Sequence, residues 1–298
     1  MKLRIATRGS KLSLIQAQQV AKIINEKLGF ESELIIVKTK GDIMTDSPIS
    51  SIGKGVFSAE VNEAVVKGKA DLAVHSMKDI MTELPYPLDI AITLPRGNPF
   101  DAFVSSKYNF NEIPTGAKIG TSSYRRQLMM KCVRKDVNMV LLRGNVDTRL
   151  KKIEKDEVDG AIMAMAGLER LGIVKGYKIQ QLDPLMFTPS PNQGIIVAIA
   201  RKDGNFYNDL KGISDINTEV EAKAERDVVK VIGGGCGEPL GVLFKREKGK
   251  LKGIATYITK DMRRVTVTDE YDHNDNYAGK KLAIKLVDEL KNVKSFSF

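Results

Sequence analysis

Tryptophan is absent, and the 298 residues include only two cysteines, Cys132 and Cys236, and two histidines, His75 and His273. Two cysteines so far apart build no disulfide framework, which predicts a reducing compartment. So few thiols and imidazoles leave zinc short of ligands, and no metal centre is expected. No apolar run is long enough to cross a bilayer. The opening MKLRIATRGSKLSL lacks the apolar core of a secretory leader, because Arg4 and Arg8 interrupt it. A soluble, cytoplasmic protein without a membrane partner is therefore expected. Aromatic residues make up only 6% of the chain, and helix-turn-helix, RNA-recognition and zinc-finger patterns are missing, which speaks against nucleic acid as a partner.

Positive charge is in excess. The formal net charge is +10, which implies an anionic partner. The basic residues form no dense run, so a small polyanion fits better than a nucleic acid; solubility alone is the plain alternative.

The pattern along the chain predicts an α/β protein. Leu3 and Ile5 alternate with polar neighbours as in a strand, Thr7 to Ser10 form a turn, and Ser10 or Ser13 caps a helix carrying Ile15, Val20, Ile23 and Leu28. A strand at 33–38, a long loop at 39–56, a helix at 57–67 and strands at 71–76 and 88–94 follow. The segment PRGNP at 95–99 reads as a hinge. A second series then begins: a strand and turn at 117–123, a helix at 124–134, a strand at 138–143, a helix at 146–155, and a buried strand at 159–167 running into a turn. The apolar strand after PSPNQG returns to the first series, giving two crossings. A helix at 219–231, three strands near 240–245, 251–259 and 263–271, and a helix at 277–290 form a separate tail. These breaks divide the chain into 1–95 with 193–214, 96–192, and 215–298.

Basic side chains recur just past the expected strand ends, where open α/β sheets bind ligands. Arg8 follows the first strand, Lys78 follows DLAVHS, Arg125 and Arg126 follow AKIG, and Arg143 follows NMVLL, with Arg149 on the next helix. Helix N-termini nearby add free N–H groups that favour anions. Arginine suits carboxylates because its donors form a planar fork. In HSMKD (75–79) a strand end carries an imidazole, an ammonium and a carboxylate. Either these groups act there, with Lys78 and Asp79 converging from a tight turn, one to bind a carboxylate and the other to manage a proton, or His75 is a hydrogen-bonded residue near the core and Asp79 caps its own turn. GGGCGEP (233–239) sets Cys236 among glycines, a candidate for covalent chemistry or an inert cysteine at a domain edge. Cys132, between Met130 and Val133, is expected in the core. The GKG at 53–55 is no phosphate loop, since the full pattern is missing.

TRGSKLSLIQAQQV, HSMKD, GTSSYRRQ, LRGNVDTRL and GGGCGEP, in this order, resemble the successive signatures of the porphobilinogen deaminase (hydroxymethylbilane synthase) family over most of the chain. The resemblance implies three domains: two lobes like those of periplasmic binding proteins around a cleft, and a small C-terminal α/β domain carrying a cysteine. It implies a transferase that joins four porphobilinogen units head to tail, with loss of ammonia, into hydroxymethylbilane for tetrapyrrole synthesis. It implies a dipyrromethane cofactor held by a thioether at Cys236, and Asp79 as the catalytic carboxylate. Lys78, Ser123, Arg125, Arg126 and Arg143 are implied to bind the cofactor, and Arg8, Ser10, Lys54, Phe57, Arg149 and Gln193 the growing chain. Two positions depart from the family pattern: Met81 stands where HSMKDxP has proline, and Asn192 precedes Gln193 where glycine is common. Asparagine tolerates unusual backbone angles, so the geometry is expected to survive. A non-catalytic anion-binding module, which needs no Cys236, and a nucleic-acid binder are the other readings.

Overall fold

The computed structural model describes residues 2–39, 58–173, 175–233 and 237–292. Lys54, Phe57, Cys236 and the GKG segment lie outside these residues. The described chain runs β1 (Lys2–Arg8), α1 (Lys11–Leu28), β2 (Glu31–Val37), α2 (Ala59–Val66), β3 (Leu72–Ser76), a 3-10 turn (Met77–Asp79), β4 (Leu88–Thr93) and β5 (Asp101–Ser105). It continues with a 3-10 turn (Phe110–Glu112), β6 (Lys118–Thr121), α3 (Tyr124–Val133), β7 (Asn138–Leu141), α4 (Val146–Glu154), β8 (Gly160–Ala164), α5 (Met165–Arg170) and β9 (Lys178–Gln181). It ends with β10 (Ile196–Arg201), α6 (Tyr207–Gly212), α7 (Ile216–Ile232), β11 (Leu240–Glu247), β12 (Lys250–Ile258), β13 (Arg264–Asp272) and α8 (Ala278–Lys291). Among the described residues no helix is long and apolar enough to cross a membrane.

The chain divides into two compact units, Met1–Gly97 with Gly194–Glu219, and Asn98–Gln193 with Val220–Phe298. In the first unit the sheet order is β2-β1-β3-β10-β4. The pairs β1–β2 and β1–β3 are parallel, whereas β10 runs antiparallel to both of its neighbours. Parallel neighbours require a crossover, and α1 and α2 supply them. Leu3 and Ile5 of β1, Ala17, Val20 and Ile24 of α1, and Ile196 and Ala198 of β10 share one buried core. At the far edge Arg4 is tied to Asp71, Nη2 to Oδ1 at 2.9 Å, which fixes the start of β3 against β1.

In the second unit the sheet order is β7-β6-β8-β5-β9. Here too the first three strands are parallel and the fourth, β5, is antiparallel to both neighbours. The two sheets thus repeat one plan, and in each the reversed strand is the one that follows a passage between units. A third sheet, β11-β12-β13, is an antiparallel meander covered by α7 and α8. It belongs to the same compact unit as the second sheet, to which it is pinned by Val242 N–H donating to Pro189 O at 2.8 Å and by the Thr188–Thr256 hydroxyl pair at 2.7 Å.

Several sequence expectations need correction. The apolar run at 159–167 is strand only to Ala164, after which Met165 opens a helix. The strands β5 and β9 and the helix α6 carried no strong periodic signal because each is only four to six residues long. The helix expected from 219 begins at Ile216, because Asp215 Oδ1 accepts from Thr218 N–H at 2.7 Å and caps it. Cys132 is half-buried at the margin of the core rather than inside it.

The closest backbone approach in the tail is at Gly279 of α8. A Cβ added there would lie 2.1 Å from Ala224 O of α7. Gly279→Ala should therefore force α7 and α8 apart and lower stability by about 1–3 kcal/mol. Urea unfolding would measure this, and an unchanged midpoint would mean that the two helices separate freely.

Candidate functional site

Each of the first two sheets has its parallel strands ending on a common edge, and several of the described residues singled out in the sequence lie at those ends. In the first unit β1 ends at Arg8, and Ser10 follows as the cap of α1, its Oγ accepting from Ser13 N–H at 3.2 Å. Strand β3, two positions of which pair with β1, ends at Ser76 and passes into the 3-10 turn that holds Lys78 and Asp79. Two bonds fix this strand end: Gln16 Nε2 donates to Ser76 Oγ at 2.8 Å, and Met77 N–H donates to Ile195 O at 2.9 Å. Arg8 and Lys78 are half-buried, while Asp79 is exposed. No side-chain cap bond forms at this turn, and the Asp79 carboxylate makes no hydrogen bond or ion pair among the described residues. The turn-capping role considered for it is therefore not one that it plays.

His75 takes the other of its two readings. It is buried, and its Nε2 pairs with Asn62 Oδ1 at 2.8 Å. Asn62 can accept only from a protonated Nε2, so this is the tautomer present. Burial, reinforced by the positive charge of Arg8, pushes the pKa of His75 down to about 3. A neutral histidine of this kind holds α2 against β3 and exchanges no proton near neutrality.

The second unit repeats the capping arrangement. Strand β6 ends at Thr121, and Ser123 caps α3, its Oγ accepting from Arg126 N–H at 3.4 Å. Arg125 and Arg126 on the first turn are both buried. They converge on Asp101 at the start of β5, which is 0% exposed. Arg126 Nη2 lies 2.8 Å from Asp101 Oδ1, and Arg125 Nη2 lies 2.8 Å from Oδ2, a charge contact whose geometry is off the hydrogen-bond line. Gln193 Nε2 donates to the same Oδ1 at 2.8 Å and to Pro99 O at 2.8 Å. Burial by itself would raise the pKa of Asp101, but the charges of Arg125 and Arg126 and the bonds from Arg126 and Gln193 outweigh it and hold the group at about 2. Burial pulls Arg125 below its usual value against the opposing pull of Asp101. Arg125, Arg126 and Gln193 are thus brought together by a residue the sequence reading missed, while Ser123 caps the helix that carries the two arginines. The available signal was an acidic residue opening the apolar strand DAFVS.

Arg143 is half-buried just beyond β7, and Arg149 on α4 turns its Nε back to Gly144 O at 2.8 Å. The turn before β10 places Asn192 at φ 61°, the left-handed conformation that glycine usually occupies. Its strain is offset by Glu225, whose Oε2 accepts from Asn192 N–H at 2.5 Å, and by Asn192 Nδ2 donating to Ala222 O at 3.1 Å. An open cavity in the second unit, of about 540 Å³ and lined by Asp147, Lys151, Glu154, Lys175 and Tyr177 among others, contains none of the residues singled out above. Among the described residues no cluster of side chains could hold a metal ion.

The histidine yields a pH prediction. Its folded pKa lies below the unfolded value near 6.5, so unfolding takes up a proton at acid pH. The stability due to neutral His75 is complete above about pH 6.5 and is lost as the pH falls toward 3. His75→Gln should flatten the acid limb of the stability curve over that window. Urea midpoints measured from pH 7 to pH 4 decide it, and parallel curves would deny the coupling.

The porphobilinogen deaminase, dipyromethane cofactor binding domain family model matches residues 3–209. Probable porphobilinogen deaminases are similar over 98% of this chain and 98% of their own length: 47% identical in Metallosphaera sedula, 46% in Sulfurisphaera tokodaii and 44% in Saccharolobus islandicus. Among solved structures, the Bordetella pertussis BvgS periplasmic VFT2 domain matches 71% of this chain and 86% of its own, at 11% identity and a TM-score of 0.44. A matched family model over more than two thirds of the residues, and relatives this similar from end to end, place the chain in the porphobilinogen deaminase family.

Proposed function

We propose that this chain joins four porphobilinogen molecules head to tail, releasing one ammonia per pyrrole and taking up one water as the hydroxyl of the hydroxymethylbilane product, in tetrapyrrole synthesis. The observation that carries the reading is Asp79. An exposed carboxylate, unbonded among the described residues, stands on the same sheet edge as Arg8 and Lys78. Each porphobilinogen brings two carboxylates, and a carboxylate held out of water is costly unless a cation meets it. Lys78, Arg8, Arg143 and Arg149 are the cations for that task, with Ser10 at the N-terminus of α1. Lys54 and Phe57 complete the substrate-binding set. Asp79 offsets the positive charge that develops on a pyrrole nitrogen as ammonia leaves, and carries the proton lost from the α-carbon.

The donor set of the second unit fits a carboxylated cofactor: two buried guanidiniums share one carboxylate, which leaves a net positive charge. When bound, dipyrromethane supplies the free α-carbon on which the chain grows. Arg125, Arg126, Ser123, Lys78 and Arg143 are the residues to hold its acetates and propionates, and Gln193 buttresses them through Asp101. Cys236 is the attachment point. The working division is a first lobe of 1–95 and 193–214, a second of 96–192, and a C-terminal domain of 215–298 that carries Cys236. The same reading makes the protein a cytoplasmic monomer with no nucleic-acid partner.

Incubation with porphobilinogen followed by product identification tests the activity; absence of ammonia and of an open-chain tetrapyrrole would refute it. Intact mass should show two linked pyrrole units, and a digest should place them on the peptide containing Cys236 and not on that of Cys132. Arg143→Ala should keep the fold and lose about 2–5 kcal/mol of transition-state binding. Asp79→Asn should keep the fold and slow the chemical step by about 10²-fold. Single-turnover kinetics on cofactor-loaded protein measures this, and a wild-type rate would make Asp79 a bystander.

A further inference from the structure

The third sheet carries a row of residues that faces away from its own helices. Val242, Ala255 and Val267 stand opposite one another on β11, β12 and β13 and enter the core shared with α7 and α8. One position along, Gly241, Thr256 and Thr266 form the next row, which strand alternation turns to the other face. Thr188 is seated on that row. Its hydroxyl donates to Pro184 O at 2.8 Å and meets Thr256 Oγ1 at 2.7 Å, and Thr256 Oγ1 meets Thr266 Oγ1 at 3.0 Å. A hydroxyl has one proton to give, and a carbonyl can only accept. The Thr188 proton is spent on Pro184 O, so Thr256 donates to Thr188 and Thr266 donates to Thr256. Arg264 Nε closes the far end by donating to Thr266 Oγ1 at 3.3 Å. The chain of bonds runs one way, and each link polarises the next. Thr188 and Thr256 are both fully buried, so water replaces neither hydroxyl.

The glycine completes the seat. A Cβ at Gly241 would lie 2.5 Å from Thr188 O, 2.7 Å from Thr188 Cβ and 3.0 Å from Met129 Cε. No side chain fits there while Thr188 keeps its place. The same carbonyl oxygen accepts from Arg125 Nη1 at 2.6 Å, and that nitrogen also approaches Met129 Sδ at 3.4 Å. The third sheet thus presses on both neighbours of Arg125 Nη1. We infer that the row Gly241, Thr256 and Thr266 is a positioning element, which sets the Thr188 carbonyl and through it the orientation of Arg125. The inference rests on the reading above that Arg125 belongs to the site, and adds that the sheet following Cys236 in the chain holds that arginine in place.

The experiment separates orientation from stability. Wild-type protein and the variants Thr256→Val, Thr256→Ser, Gly241→Ala and Gly253→Ala are produced without porphobilinogen and then incubated with it. Intact mass gives the rate at which folded protein gains two pyrrole units, and the thermal midpoint is recorded in parallel. Valine keeps the shape of Thr256 and removes the hydroxyl, whereas serine keeps the hydroxyl. Gly253→Ala is the control: a Cβ there would press on Phe244 and Leu282 at 2.7 and 2.9 Å, in the same sheet but on the face turned to α8. Thr256→Val and Gly241→Ala should load at least about tenfold more slowly than wild type, the size of one charged hydrogen bond. Thr256→Ser should load within about threefold of wild type, and so should the folded fraction of Gly253→Ala, although it melts earlier. Where one of the two slow variants does not fold, the other decides. Where neither folds, Thr266→Val at the exposed end of the chain of bonds stands in for both, and should load more slowly than Gly253→Ala. Loading at the wild-type rate overturns the inference, as does a loss that tracks the thermal midpoint equally in Gly253→Ala. Orientation is also read without cofactor: in unloaded protein Thr256→Val should shift the guanidinium nitrogen resonances of Arg125 more than those of Arg126, and unmoved Arg125 resonances overturn the inference. Wild-type protein that never gains the pyrrole mass, with that shift present, would instead remove the functional reading and leave the placement of Arg125 standing.

Discussion

Parallel pairing of β1 with β3, and of β6 with β8, governs most of what surrounds these strands. Two parallel strands cannot be joined by a hairpin, so each pair needs a crossover, and each crossover leaves a strand's carboxyl end through a turn into a helix or loop. All such turns lie on one edge of the sheet. Helix N-termini with unbonded N–H groups gather on the same edge and favour anions and hydroxyl caps. Ser10 and Ser123 are the caps, and Arg8, Lys78, Asp79 and Arg125 stand within two or three residues of a strand or cap. The chemistry of the chain is thus located by strand direction before any side chain is chosen.

Much of this was legible in the sequence. The long elements with clear period, α1, α3, β10 and α8, fall close to where their apolar spacing puts them. The cap at Ser10 was visible because serine precedes an amphipathic run, and the left-handed Asn192 because asparagine stands where glycine is common. The short strands β5 and β9 were not visible, since four or five residues hold too few alternations to signal a period. Asp101 was hidden for a related reason. Its partners lie 24 and 25 positions away, and a buried ion pair leaves no periodic trace in the chain. The two roles open to His75 were separated only by Asn62, a residue that nothing in HSMKD points to.

Asp101 and Asp79 show how one residue type does opposite work under different burial. Asp101 is sealed from solvent and held ionised by two guanidiniums and an amide, so its charge is fixed in place and serves geometry. Asp79 is exposed on a short turn and unbonded among the described residues, so its charge is available to whatever meets it. Glu225 resembles Asp101 in this respect: buried, it accepts from Asn192 and from Phe244 N–H and ties the turn before β10 to the third sheet. For these three acidic residues burial decides whether the charge is committed to the framework or left facing solvent.

The reversed strand β10 also sets an order in time. It fills the slot between β3 and β4, yet about a hundred residues separate it from β4. A chain emerging from the ribosome therefore presents β3 and β4 with empty hydrogen-bonding edges until β10 is made, roughly 5–20 s later at ordinary rates of synthesis. The segment that makes up the second, mixed sheet is translated in that interval. Ile196 to Ala200, buried without exception in the finished molecule, then pairs with β3 on one side and β4 on the other. The first part of the protein to be synthesised is for this reason among the last to be closed, and a ribosome that stalls before residue 196 would leave an exposed sheet edge for chaperones to cover.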